Sequence, residues 1–359
     1  MTVDAGAALA PVQPRSRSKG GGLWRYVLIR LLLIIPTVFI LVTTVFFLMR
    51  ITGDPITAAL GGRLPADQLQ ERIHAAGYDR PLWVQYLEYL AGVARGDFGS
   101  TITDRRPVLE ILLQYGSATL ELAVYALIVA LLVSIPLGLI AAYRRDRWHD
   151  AVLRVMAILA YATPIFFAGL LLKLIFSVWL GWLPVSGRGS TRTELLMAGI
   201  DTPTGIYLLD AIRLGNLPAA GDVLVHAILP AIALGLLTAG VFLRLIRTNV
   251  IGTLGQQFVT SGRSRGVSEY RLLTKHAYRP ALIPIITVMG MQIALLLAGA
   301  VLTETTFEWK GIGFMLTEYL KARDFVAVQG IVVMIAVVVA VTNFIVDIIA
   351  AFIDPRVRY

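Results

Sequence analysis

The chain has 359 residues, 57% of them in the hydrophobic set and 15% charged, with a formal net charge of +9 and a mean hydropathy of +0.74; that is too apolar for an ordinary soluble domain, so lipid is part of its solvent. Cysteine is absent, which excludes disulfides, thiolate metal centres and cysteine nucleophiles, and the histidines (His74, His149, His226 and His276) lack ligand spacing. The basic residues gather at the ends of apolar runs rather than along one polar face, so the positive charge belongs to topology and lipid headgroups and not to nucleic acid.

Residues 1–22 are rich in Ala, Pro, Ser and Gly with Arg15, Arg17 and Lys19, a composition that cannot offset the entropy of ordering. They are expected to form a disordered cytoplasmic tail. The first span is expected at 24–49, with an uncharged stretch from Leu31 to Met49. It is followed by Arg50-Ile-Thr-Gly-Asp-Pro rather than a small-residue cleavage site, so it stays as a signal anchor.

An external region follows at 50–116, with short helices expected at 65–76, closed by Gly77, and 82–95, closed by Gly96. Trp83, Tyr86 and Tyr89 on the second suit either the headgroup level or packing on the bundle. The membrane core is expected at 117–352, with spans at 117–142, 152–180, 224–247, 281–303 and 326–352, and 353–359 as a C-terminal segment. The apolar runs are continuous rather than alternating, which selects helices over a barrel. The fold class is therefore all-α and integral to the membrane, with six transmembrane helices.

Short-loop arginine and lysine set the orientation. Arg144, Arg145, Arg147 and Arg154 flank the second connection; Arg244, Arg247, Arg263, Arg265, Arg271, Lys275 and Arg279 fill the fourth with Glu269 as its acid. Both are expected in the cytoplasm, with both termini, Arg356 and Arg358 included. The third and fifth connections mix bases such as Arg188 and Lys310 with acids such as Glu194 and Glu308, and are expected outside.

No lysine is followed by Ser or Thr: Lys19, Lys173, Lys275, Lys310 and Lys321 precede Gly, Leu, His, Gly and Ala. A phosphate-cradling loop of the Walker type is therefore excluded. Ionisable residues inside the spans are few, which disfavours ion-coupled transport. Glu121 lies near enough to the outer interface to be solvated, Lys173 can snorkel, and Asp347 with Asn343 four residues earlier can join two helices; each also has a reading as pathway lining. No convergent acid, base and nucleophile marks a membrane enzyme.

The connection 248–280 is the most informative. Apolar Phe258, Val267, Leu272, Leu273 and Ala277 alternate with basic residues, and Gly262 and Gly266 punctuate two expected short helices. Such a unit either docks into a soluble protein or lies on anionic lipid. At the other end, Glu304, Thr305 and Phe307 close the fifth span next to Gly311 and Gly313, as cargo or binding-protein contacts or as simple helix termination.

The run Phe-Val-Thr-Ser-Gly-Arg-Ser-Arg-Gly-Val-Ser-Glu-Tyr-Arg-Leu-Leu-Thr-Lys-His-Ala-Tyr-Arg-Pro-Ala-Leu-Ile-Pro (258–284) resembles the signature loop of binding-protein-dependent ABC permeases of the dipeptide/oligopeptide/nickel branch. Gly53-Asp54-Pro55, the stretches 79–86, 95–99 and 302–309, and the ending Asp354-Pro355-Arg356-Val357-Arg358 are similar to the B-type member of the permease pair. The resemblance implies a type I importer fold whose first span wraps a neighbouring permease. It implies a C-type permease as heterodimer partner, two ATPases that bind ATP and magnesium ion, and an external solute-binding protein, with no cofactor in this chain. It makes Thr260, Ser261, Gly262, Arg263, Ser264, Arg265, Gly266, Val267, Ser268, Glu269, Leu272 and Leu273 the ATPase-coupling segment, with Gly266 as its central glycine. Lys310 in place of a usual Pro, Pro280 in place of a usual Asn, and Thr260-Ser261-Gly262 in place of Glu-Ala-Ala depart from the pattern.

Overall fold

A computed structural model describes residues 22–51 and 53–353, so the expected tail (all but Gly22) and the ending 354–359, with Arg356 and Arg358, lie outside the described residues. The described residues form helices throughout: α1 Gly22–Ile51, α2 Pro55–Leu60, α3 Ala66–Ala75, α4 Leu82–Ala94, α5 Val108–Tyr143, α6 Trp148–Ala162, α7 Ile165–Leu172, α8 Thr191–Ala198, α9 Tyr207–Arg213, α10 Leu217–Leu254, α11 Gln257–Ser264, α12 Glu269–Arg271, α13 Tyr278–Phe307, α14 Ile312–Lys321 and α15 Phe325–Ile353. Wide π-helical turns follow α7 (Lys173–Trp179) and α12 (Leu272–Ala277).

Among the described residues α1, α5, α10 and α15 are each long and apolar enough to cross a membrane. The expected span 152–180 is instead two helices, α6 and α7, bent by 106°. Pro164 explains the break: it lacks an N–H to continue the helix and forces Thr163 into an extended conformation, with ψ 126°. α13 is 30 residues long, about 45 Å at the helical rise, and Ala281 to Thr303 carries no charge. α5 begins nine residues before the expected 117, because Val108, Ile111 and Leu112 bury against Ile312 and Tyr319 of α14 and Ile331 of α15.

α10 is the axis of the bundle. It crosses α5 where an added Cβ on Gly235 would stand 2.6 Å from the Ala126 carbonyl oxygen, and α6 where one on Gly240 would stand 2.7 Å from that of Ala157. Such contacts bring backbones together without an internal hydrophobic drive, the usual packing in lipid. Phe242, Ile246 and Val250 of α10 meet Ala142 of α5, Leu273 of the π turn, and Ala281 and Ile285 of α13. Toward the other end, Leu234 meets Leu122 and Ala126 of α5, Leu296 and Ala300 of α13, and Trp309.

α1 lies along α15 of its own chain. Val42 and Val45 pack on Val333, and Arg30 pairs with Asp347 at 3.2 Å, so Asp347 does join two helices. The opposite face of α1, with Leu31, Leu32, Ile35 and Ile40, is exposed. Within its own chain α1 contacts α15 and α4. Between α1 and α5, α3 and α4 match their expected positions to within a residue. Tyr86 and Tyr89 pack on Phe46 of α1, as the bundle-packing reading expects, while Trp83 is exposed.

The crossing glycine gives a direct test. Gly235→Ala forces α10 and α5 apart and is expected to cost about 1–3 kcal/mol, lowering the thermal transition of the detergent-purified protein. Gly221→Ala on the same helix, where a Cβ meets nothing within 4 Å, is expected to change stability by less than about 0.5 kcal/mol.

Candidate functional site

Two polar assemblies lie at opposite ends of α13. At its C-terminal end, Glu304 is fully buried. Its carboxylate accepts from the Thr119 hydroxyl of α5 at 2.6 Å and from the Phe314 N–H of α14 at 2.9 Å. Thr119 in turn accepts the Ile312 N–H at 2.9 Å, and the buried Trp309 indole donates to the Ala118 carbonyl at 2.9 Å. Three helices are thus tied by one carboxylate, one hydroxyl and one indole. Gly311 and Gly313 are buried against the same carboxylate, where a side chain would collide with it.

These placements correct the expectation for the C-terminal end of the fifth span. Glu304 and Phe307 are buried within the chain, Phe307 against Leu229 and Ala233 of α10, rather than presented to cargo or to a binding protein. Thr305 bonds back to the Val301 carbonyl. A cluster that closes a helix reads the same in sequence whether it faces a ligand or its own neighbours.

Glu121 is corrected as well: it is buried, not solvated. Arg188 pairs with it at 2.5 Å, and its carboxylate accepts from the Leu208 N–H at 3.0 Å and the Tyr125 hydroxyl at 2.8 Å. The Arg188 guanidinium lies 3.6 Å from the centre of the Tyr207 ring and donates to the Gly205 carbonyl at 2.8 Å. Sequence reasoning counted Arg188 only as loop charge; the available signal was an acid at the mouth of a span with arginine in a later connection. Lys173 donates to the Thr306 carbonyl at 2.7 Å and stands over the Phe307 ring, which holds α7 to the end of α13. Lys310 meets Glu194 at 3.0 Å, so the departure from Pro at this position adds a bridge to α8.

At the other end, α11, α12 and the π turn form a hook closed on itself. Val259 is fully buried. Gly262, expected to separate two helices, sits inside α11, where a Cβ would stand 2.9 Å from Leu272. The break falls instead at Gly266, whose φ of +77° strongly favours glycine. Arg263 and Glu269 bridge this turn with two hydrogen bonds of 2.5 and 3.0 Å, and the guanidinium holds the Glu269 carboxyl below its ordinary range. Leu272 and Leu273 are buried in the chain's own core, so they anchor the hook rather than enter a partner. Ser264, Arg265, Ser268 and Arg271 are exposed, as are Phe258 and Tyr270, and Val267 is half-buried; Thr260 and Ser261 are exposed on α11. Pro280 falls just after the π turn, where it supplies no N–H to the preceding carbonyls, in keeping with the widened backbone there.

Asp150, fully buried, accepts two hydrogen bonds from Arg247 at 2.5 and 2.7 Å and one from the Asp146 N–H at 3.0 Å. This pair ties the start of α6 to α10 near the hook, and sequence reasoning did not assign it. Among the described residues no group of His, Cys, Asp and Glu is arranged to hold a metal ion.

The Arg188–Glu121 pair is testable by stability. Arg188→Met leaves a buried carboxylate unpaired and is expected to cost about 3–5 kcal/mol. Adding Glu121→Gln removes the orphan charge and is expected to restore part of the lost thermal stability; a double variant no more stable than the single one would contradict the pairing.

Residues 134–359 match the family model described as the binding-protein-dependent transport system inner membrane component. Residues 23–123 match the N-terminal model of such membrane components. The chain is 39% identical over 332 residues to the Di/tripeptide transport system permease protein DppB of Pseudomonas aeruginosa, covering 92% of this chain and 97% of that relative. It is 37% identical over 338 residues to the Dipeptide transport system permease protein DppB of Escherichia coli, 93% and 99% covered. It is 40% identical over 311 residues to the Probable D,D-dipeptide transport system permease protein DdpB of Escherichia coli, 86% and 89% covered. With its apolar helices, its signature loop folded at one end and these matches over nearly its whole length, the chain belongs to the binding-protein-dependent transport system inner membrane permeases.

Proposed function

We propose that this chain is the B-type permease of an ATP-driven importer of dipeptides or oligopeptides, and that it forms the translocation pathway with a C-type permease. The observation that carries the peptide reading is the similarity over more than nine-tenths of the chain to permeases of dipeptide systems. In this reading two separate ATPases hydrolyse ATP and an external binding protein delivers cargo, while this chain is non-catalytic. In this reading the hook and both termini are cytoplasmic, as the arginine-rich connections favour. Six spans follow if the bent α6–α7 pair and α13 each cross once.

The hook 257–277 is the coupling element. Its exposed face carries Phe258 and Tyr270, 49% and 77% exposed, with Arg265 and Arg271 beside them. That is the composition of a short knob for an acidic-rimmed groove. Its buried face, through Leu272, Leu273 and Ala277, is continuous with α10 and α13. A push on the knob therefore reaches packed helices rather than a loose loop, as alternating access by rigid-body motion requires.

The reading is tested by reconstituting the chain with its second permease, ATPases and binding protein in liposomes and measuring uptake of labelled dipeptide. ATP-dependent uptake is expected, and its absence would contradict the function. Gly266→Val, strained at φ +77° although nothing lies within 4 Å of its Cβ, is expected to lower uptake by about tenfold or more at normal abundance. Gly266→Asn, which tolerates the left-handed region, is expected to retain most of it. Equal loss in both would locate the requirement in space rather than in backbone conformation.

A further inference from the structure

On the α6 side of the bend, α6, α10 and α13 line an open cavity of about 700 Å³. Its size suits a small peptide, since small-molecule sites run to roughly 300–1,000 Å³. Three arginines line it, Arg154, Arg244 and Arg247, with no acidic side chain among its lining residues. Arg247 is committed to Asp150, and Arg154 stands 3.8 Å from the same carboxylate. Arg244 makes no ion pair among the described residues. Tyr161 lines the same space from the last turn of α6.

Deeper in, midway along α13, Gln292 also lines the cavity. It is only 9% exposed, and among the described residues its buried Oε1 has no hydrogen-bond partner. A buried acceptor left unpaired is unfavourable unless something fills it. The cavity thus offers cationic donors at the end nearer the hook and one unmet acceptor at mid-depth. A peptide has the complementary pattern, a carboxylate at one end and N–H donors along its length.

We infer that this cavity is a cargo station on the translocation pathway, in which Arg244, supported by Arg154 and Arg247, receives the C-terminal carboxylate of the peptide and Gln292 Oε1 accepts one of its N–H groups. The inference rests on the peptide-importer reading above. Guanidinium matches carboxylate geometry with paired hydrogen bonds. A phospholipid would satisfy the arginines through its phosphate but would set an acyl chain, not a donor, against Gln292.

The test uses the complete transporter in liposomes, with radiolabelled dialanine as probe. Arg244→Gln is expected to lower uptake by about tenfold, whereas Arg244→Lys, which keeps the charge, retains about a third or more. ATP hydrolysis stimulated by the loaded binding protein is expected to stay within about twofold in both, because the hook is untouched. Gln292→Leu, an independent variant that removes the acceptor, is expected to lower uptake by about threefold or more. A photoreactive phenylalanine analogue at position 161 is expected to trap labelled peptide during turnover. Unchanged uptake in both Arg244→Gln and Gln292→Leu, or capture of phospholipid alone at position 161, would overturn the station. A wild-type complex that imports no dipeptide would overturn the transport reading and the station with it, whereas wild-type import that survives both variants overturns only the station.

Discussion

In a bundle bathed by hydrocarbon, a buried charge must find its partners within the protein. That constraint organises this fold at three places. Glu304 holds α13 to α5 and α14, Glu121 holds α5 to the connection bearing Arg188, and Asp150 holds α6 to α10 through Arg247. Glu304 and Asp150 lie near helix ends, where the chain would otherwise splay, and Glu121 lies within α5. Between them the contacts are apolar and close, set by small residues such as Gly235 and Gly240.

α13 gains a special position from this arrangement. One end is clamped by Glu304 and Phe307, and the other continues through a π turn into the hook. A helix of 30 residues fixed at one end and pushed at the other transmits displacement over its whole length. The cavity of Arg244 and Gln292 lies along its flank, between α6 and α10. Motion of the hook and the shape of that cavity are therefore mechanically linked through the same packed core of Phe242, Ile246 and Ile285.

Much of this was legible in the sequence because lipid writes a simple rule into the chain: long uncharged runs for α1, α5, α10 and α15, and glycines after α3 and α4. The hook was legible as a unit because its residues are contiguous, although Gly262 and Gly266 looked equivalent until one proved helical and the other left-handed. What stayed hidden depends on partners far apart in sequence. Glu304 and Thr119 are separated by 185 positions, so the same polar helix end suited a pathway contact or an internal clamp. Leu272 and Leu273 illustrate the same limit, since hydrophobicity marks a buried face without saying whose. The 106° bend was present as Pro164, but length alone made 152–180 one span.

The coupling role of the hook turns on whether it touches an ATPase. The chain contains no cysteine, so a single Ser268→Cys, on the exposed side of the Gly266 turn, can be paired with cysteines placed along the groove of each partner ATPase in the assembled transporter. The account predicts a disulfide cross-link that forms in the competent complex and whose yield changes between nucleotide-free and ATP-bound states. No cross-link at any groove position, in a complex that still imports, would contradict it.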